Sequence, residues 1–150
     1  MARPLRTYRV MLACEPRRSY GKAEGPEEAA AIARAVLRRD CDPDQECFLV
    51  LACDARGQVT GYKVVGVGTL TACLVHPREV FRAAIELGAV AIICVHNHPS
   101  GDPGPSSEDS TLHDRLTAAG EILGIPILDS LIVTTTGATW SQKEGLLGEG

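Results

Sequence analysis

The sequence predicts a single α/β domain in which helices flank a mixed sheet, and three observations point there. Two apolar runs, residues 47–53 and 90–95, have strand length and almost no polar interruption, the pattern of strands buried on both faces. Helical and strand-like spacings alternate as strand, helix, a group of strands, helix, strand, helix, strand, an order that favours helices packed on a mixed sheet. The 150 residues suit one domain, and an apolar share of 45% supplies a real core.

Taken in order, residues 8–13 read as a first strand, and a polar loop follows through Glu24. Pro26 suits a first helical position, where its missing N–H is no loss, and Glu27 and Glu28 meet the positive end of the helix dipole. That helix runs towards Arg39 on an apolar face of Ala30, Ile32, Ala33, Val36 and Leu37, and residues 40–44 break the pattern. Residues 54–57 form a turn in which Gly57 supplies positive φ, and residues 58–65 return antiparallel to the first apolar run. Residues 69–75 read as another strand, after which Pro77 opens a helix through Phe81, Ala84 and Leu87, closed by Gly88. Residues 90–95 are the most strand-like segment and predict the centre of the sheet. Residues 97–107 hold Pro99, Gly101, Pro103, Gly104 and Pro105, and therefore form an ordered loop. Residues 108–123 return to helical spacing on Leu112, Leu116, Ala119 and Leu123. Residues 125–134 give a final core strand, Trp140 anchors a last short one, and the chain is expected to be flexible from 143, fraying at 145–150.

Composition excludes several classes. Fifteen basic against nineteen acidic residues leave a net charge of −4, which opposes a domain built to coat nucleic acid. Arg17, Arg18 and Lys22 are bracketed by Glu15 and Glu24 and read as a solvated loop. Six cysteines, Cys14, Cys41, Cys47, Cys53, Cys73 and Cys94, sit partly inside apolar runs with no apolar leader before them, so reduced thiols in a cytoplasmic setting are expected. No run approaches the roughly 18 apolar residues of a membrane span. Neither GxGxxG after a strand nor GxxxxGK[ST] is present, so no nucleotide loop is predicted.

The chemistry concentrates in residues 96–109. His96 and His98 stand two apart at the end of a buried strand, where i and i+2 project to the same side and two imidazoles can converge. Ser106 suits an N-cap, which places Asp109 at N3 in a capping-box arrangement, a carboxylate in the first helical turn that can also face a cation. His96, His98 and Asp109 together make three ligands with a fourth position open to water, the catalytic rather than the closed structural pattern of zinc. Glu46 precedes the other apolar strand and is the candidate acid/base for that water. Ser106 is the candidate oxyanion donor, a role that a backbone N–H can also fill.

These residues resemble the JAMM (JAB or MPN-plus) metalloprotease fold in its bacterial RadC-like form. The resemblance rests on His96-Asn-His-Pro-Ser-Gly101 followed by Pro105-Ser106 and Asp109, an H-x-H-x(10)-D spacing, with Glu46-Cys-Phe-Leu-Val-Leu51 upstream. Gly68-Thr69, Val75-His-Pro-Arg-Glu79, Leu123-Gly-Ile125 and Leu128-Asp129 extend it over roughly residues 8–142. It implies the JAB/MPN architecture, which is cytidine-deaminase-like, with His96, His98 and Asp109 as Zn2+ ligands, Glu46 as general acid/base, and Ser106 stabilising the intermediate. It also implies hydrolysis of a peptide or isopeptide bond in a peptide or protein substrate. An old association with DNA repair travels with the RadC name and finds no support in these residues. Two departures stand out. Ser130 occupies the position where RadC-like proteins commonly carry a histidine, so a polar contact near the site is expected to be missing. Only 45 residues precede Glu46, too few for the helix-hairpin-helix domain that full-length members often carry.

Cys94, inside the 90–95 run, reads as a core thiol rather than a nucleophile, and His76 and His113 suit solvated or capping roles. A zinc deaminase needs H-x-E with P-C-x-x-C, and a gluzincin needs H-E-x-x-H; both patterns are absent. The competing expectation from another class is a non-catalytic interaction module on the same fold, in a DNA-processing or mobile-element context. Substrate and oligomeric state have no signature in the sequence.

Overall fold

The computed structural model describes residues 20–68 and 75–147. The element order is α1 (Pro26–Asp40), β1 (Glu46–Cys53), β2 (Val59–Gly68), α2 (Pro77–Glu86), β3 (Ala91–Asn97), α3 (Ser107–Leu123), β4 (Ile127–Val133), β5 (Thr139–Ser141) and β6 (Gly145–Leu147). One six-stranded mixed sheet results, ordered β2-β1-β3-β4-β5-β6. Among the described residues only β3 and β4 run parallel, joined through α3, and the other strand pairings are antiparallel.

Side-chain alternation along the strands divides the apolar residues between two faces. On one face Leu49, Leu51, Val95 and Leu131 pack against Ala30, Ala33, Val36 and Leu37 of α1. On the other, Phe48, Val50, Ile92 and Cys94 pack against Val80 and Phe81 of α2 and Leu116 of α3. With helices on both faces, β1 and β3 have no solvent side, which is why their sequences are continuous apolar runs.

Several expectations need revision. β2 runs on to Gly68, because Gly66 and Gly68 pair with Phe48 and Glu46 across the ladder. Gly145–Leu147 pairs antiparallel with β5 instead of fraying. Ala29 joins the buried face of α1, while Ile32 is only partly buried. Leu123, assigned to the inner face of α3 by spacing, is 48% exposed, and Gly120 is buried one turn earlier. The strand expected at 8–13 lies outside the described residues, as do Cys14, Cys73 and all of the 69–75 segment but Val75, which is buried and outside any strand.

Gly120 explains how α3 reaches the sheet. A Cβ there would lie 2.6 Å from the Ile125 carbonyl oxygen and 3.4 Å from the Phe81 ring. That carbonyl belongs to the chain as it turns into β4, where Ile125 N–H donates back to Gly120 at 3.0 Å. Gly→Ala inside a helix ordinarily stabilises by about 1 kcal/mol. Here the sign reverses: Gly120→Ala is expected to destabilise by about 1–3 kcal/mol, the usual cost of overpacking, measured as a fall in the urea midpoint at unchanged slope.

Candidate metal centre

The antiparallel and parallel ladders on either side of β3 bring its C-terminal end beside the start of β1 and the loop that leads into α3. Phe48 pairs with His96 in register, and its ring stacks on the imidazole at 5.8 Å between centroids, 10° from parallel. His96 is 8% exposed, held against this apolar wall. His98 lies just beyond the strand and turns its ring to the same side, with the two Nε2 atoms 3.1 Å apart.

Asp109 completes the cluster from α3. Ser106 caps the helix: its hydroxyl accepts from Asp109 N–H at 3.1 Å, and Asp109 Oδ2 accepts from Ser106 N–H at 2.8 Å. This capping box is the one expected from the sequence, and it fixes the carboxylate so that Oδ1 sits 3.2 Å from His96 Nε2 and Oδ2 sits 3.3 Å from His98 Nε2. Ligand atoms of Glu46, His96, His98 and Asp109 all lie within 4.8 Å of one another. The sequence-predicted metal ligands and the acid/base candidate are thus brought together, whereas Ser106 stands beside Asp109 as its cap.

Electrostatics tie the cluster together. Burial opposes ionisation of Asp109, but the hydrogen bonds from His96 and His98 outweigh it and hold the carboxyl well below the usual range. The same bond from Asp109 raises the His98 pKa against the opposing effect of burial. His98 Nδ1 faces the Asp102 carbonyl oxygen at 2.8 Å. A carbonyl only accepts, so Nδ1 carries the proton, and in the neutral ring Nε2 presents its lone pair to the cluster.

Sequence reasoning passed over Asn97, although it stands between the two histidines. By strand alternation it faces the opposite side from them. There Oδ1 accepts from Cys47 N–H at 2.7 Å and Nδ2 donates to the Gln45 carbonyl at 2.8 Å. The amide therefore grips the backbone on both sides of Glu46. The signal was available: an i+1 polar residue in a wholly buried strand needs partners on the other face.

Two other expectations change. Ser130 has a partner on α3, where His113 Nδ1 lies 2.8 Å from Ser130 Oγ, so His113 is not a solvated or capping residue. His76 does cap α2, accepting from Arg78 N–H at 3.2 Å. Burial pushes the Cys94 thiol up to about 12, as expected of a core cysteine and not of a nucleophile. Among the described residues Cys41, Cys47, Cys53 and Cys94 are all free thiols, and no helix is long and apolar enough to cross a membrane.

A mixed sheet between helices, with two histidines, an aspartate and a glutamate gathered at one strand end, defines the JAB/MPN class with a JAMM-type cluster compatible with metal coordination. The family model of the RadC-like JAB domain matches residues 23–147, and the chain belongs to that family. It is 43% identical over 122 residues to a UPF0758 protein of Desulforamulus reducens, covering 81% of this chain and 52% of that one. It is 51% identical over 102 residues to a UPF0758 protein of Symbiobacterium thermophilum, 68% of this chain and 44% of that one. A third relative, from Methanosarcina mazei, is 40% identical over 119 residues, 79% of this chain and 49% of that one. The chain thus spans about half the length of these relatives.

Proposed function

We propose that this domain is a zinc-dependent metallopeptidase or isopeptidase, with His96, His98 and Asp109 as ligands and Glu46 as general acid/base. The observation that carries the reading is the spacing of the donors. Atoms about 2.0–2.1 Å from one ion at tetrahedral angles lie roughly 3.3 Å apart. The two imidazole nitrogens are 3.1 Å apart, and each has one Asp109 oxygen, Oδ1 for His96 and Oδ2 for His98, at 3.2 and 3.3 Å, so the donors stand close to the spacing that one zinc ion requires. Two imidazoles and one carboxylate are also the donor set of catalytic zinc, which keeps a position for water.

Bound zinc supplies a Lewis acid that makes water nucleophilic near neutral pH. Glu46, gripped through its flanking peptides by Asn97, takes a proton from the attacking water and returns it to the leaving nitrogen. The Ser106 hydroxyl, whose oxygen already accepts from Asp109 N–H, is the donor we assign to the developing oxyanion. Phe48 and the Asp102 carbonyl hold the two imidazoles in place.

Zinc binding should depend on pH with a definite sign. The raised His98 pKa means that the ring keeps its proton to a higher pH than a free histidine and must lose it to bind a cation. In the metal-free protein, the His98–Asp109 pairing contributes stability that is fully present below the unfolded histidine value of about 6.5 and is lost as pH rises through the raised folded value. Zinc acts in the opposite direction. Its affinity is expected to fall about tenfold per pH unit for each proton displaced below the folded value, so the thermal shift that zinc produces should grow as pH rises through the ordinary histidine value of about 6.5 towards the raised folded one. A shift independent of pH would count against His98 as a ligand.

The test of the function is metal analysis followed by a peptide-library assay. Protein purified without chelator is expected to hold one zinc per chain, to lose turnover on chelation and to regain it when zinc returns. Failure to bind zinc ends the reading; stoichiometric zinc with no hydrolysis of peptide or isopeptide bonds leaves the domain as an interaction module.

A further inference from the structure

A second site lies on the other side of the sheet from the metal cluster. Between α1, the segment leading into β1 and the turn from β4 to β5 there is a cavity of about 450 Å³, within the size range of small-molecule sites. Leu37 and Val133 contribute apolar lining, and Asn97, Arg34, Arg38 and Thr135 supply polar groups.

The arginines are the unusual feature. Arg34 Nη2 shares its two hydrogens among the Gly137 and Ala138 carbonyls at 2.7 and 2.9 Å and Thr139 Oγ1 at 2.7 Å, which orients the guanidinium. Its Nε is buried with no hydrogen-bond partner among the described residues. Burial and the neighbouring charge of Arg38 both disfavour the Arg34 cation. Among the described residues neither guanidinium has a carboxylate within ion-pair distance. Asp42 also lines the cavity, but its Oδ1 accepts from Asp44 N–H, and one carboxylate leaves the pair of cations with a net positive charge. A half-buried guanidinium that is oriented, unpaired and beside a second one is costly unless an anion meets it.

We propose that this cavity binds a small ligand with an anionic head, carboxylate or phosphate, that pairs with Arg34 and Arg38 while a short apolar body lies on Leu37 and Val133. Asn97, whose amide holds the backbone on both sides of Glu46, also lines the cavity, which shares no residue with the metal cluster on the opposite face of the sheet.

Calorimetric titration of the whole chain with N-acetyl-leucine, its uncharged amide and inorganic phosphate tests this. N-acetyl-leucine is expected to bind with a Kd in about the millimolar range, and its amide not to bind. Binding of N-acetyl-leucine and phosphate assigns a shared anion site with an apolar extension, whereas binding of phosphate alone keeps the anion site and overturns the apolar half. Arg38→Gln, at an exposed position where folding is not at issue, should weaken anion binding about tenfold, and Arg39→Gln, whose side chain pairs with Asp40, should not. Asp109→Asn should leave anion binding unchanged, because the site is separate from the metal ligands. No binding by either anion up to about 10 mM, or equal binding to wild type and Arg38→Gln, overturns the proposal, as does loss of binding in Asp109→Asn.

Discussion

Replacing Glu46 by glutamine is expected to lower hydrolytic turnover by about 10²–10⁴-fold, the usual contribution of a positioned acid/base, while the zinc content stays at one per chain. Glutamine is nearly isosteric, and the contacts that place residue 46 are made by its neighbours: the Gln45 carbonyl and the Cys47 N–H are both bonded to Asn97. Strand pairing of residue 46 with Gly68 is likewise a backbone matter. The change therefore removes a proton acceptor and little else. Paired zinc analysis and kcat measurement check it, with KM expected to move less than kcat. Full turnover in the variant would remove Glu46 from the mechanism and leave the metal cluster standing.

Asp109→Asn has the second large effect. Metal binding in small zinc sites amounts to roughly 10–16 kcal/mol over four ligands, so one charged ligand is worth about 3 kcal/mol and its loss should weaken zinc binding by more than about a hundredfold. Asparagine keeps an oxygen to accept from Ser106 N–H, and Ser106 still accepts from the residue 109 N–H, so the capping box survives. Competition against a chromophoric chelator measures the affinity, and far-ultraviolet circular dichroism reports whether α3 persists. Retained affinity would show that the carboxylate serves the helix cap and not the cation.

Much of this centre is legible in the sequence because its parts are local. A two-residue offset at a strand end sends His96 and His98 to one side, and a Ser-x-x-Asp start to a helix aims Asp109 inwards whatever the rest of the fold does. Continuous apolar runs likewise mark β1 and β3 as strands covered on both faces. Expectations failed where burial is decided by an element's neighbours. Leu123 has the spacing of a core residue, yet α3 ends beyond its contact with the sheet and leaves Leu123 exposed. His113 has no partner within a few residues in sequence, yet it lies beside Ser130, seventeen residues away.

By itself the sequence determined which two strands are buried on both faces, how α3 is capped and which side chains turn towards a common point, since each follows from backbone periodicity within a few residues. Only the tertiary structure decided that Glu46 meets those ligands, that Asn97 secures its backbone from fifty residues away, and that Arg34 and Arg38 open onto a cavity behind them. Such contacts depend on strand order and register, which are set by the simultaneous packing of α1, α2 and α3 on the two faces of the sheet and have no counterpart in any short stretch of chain.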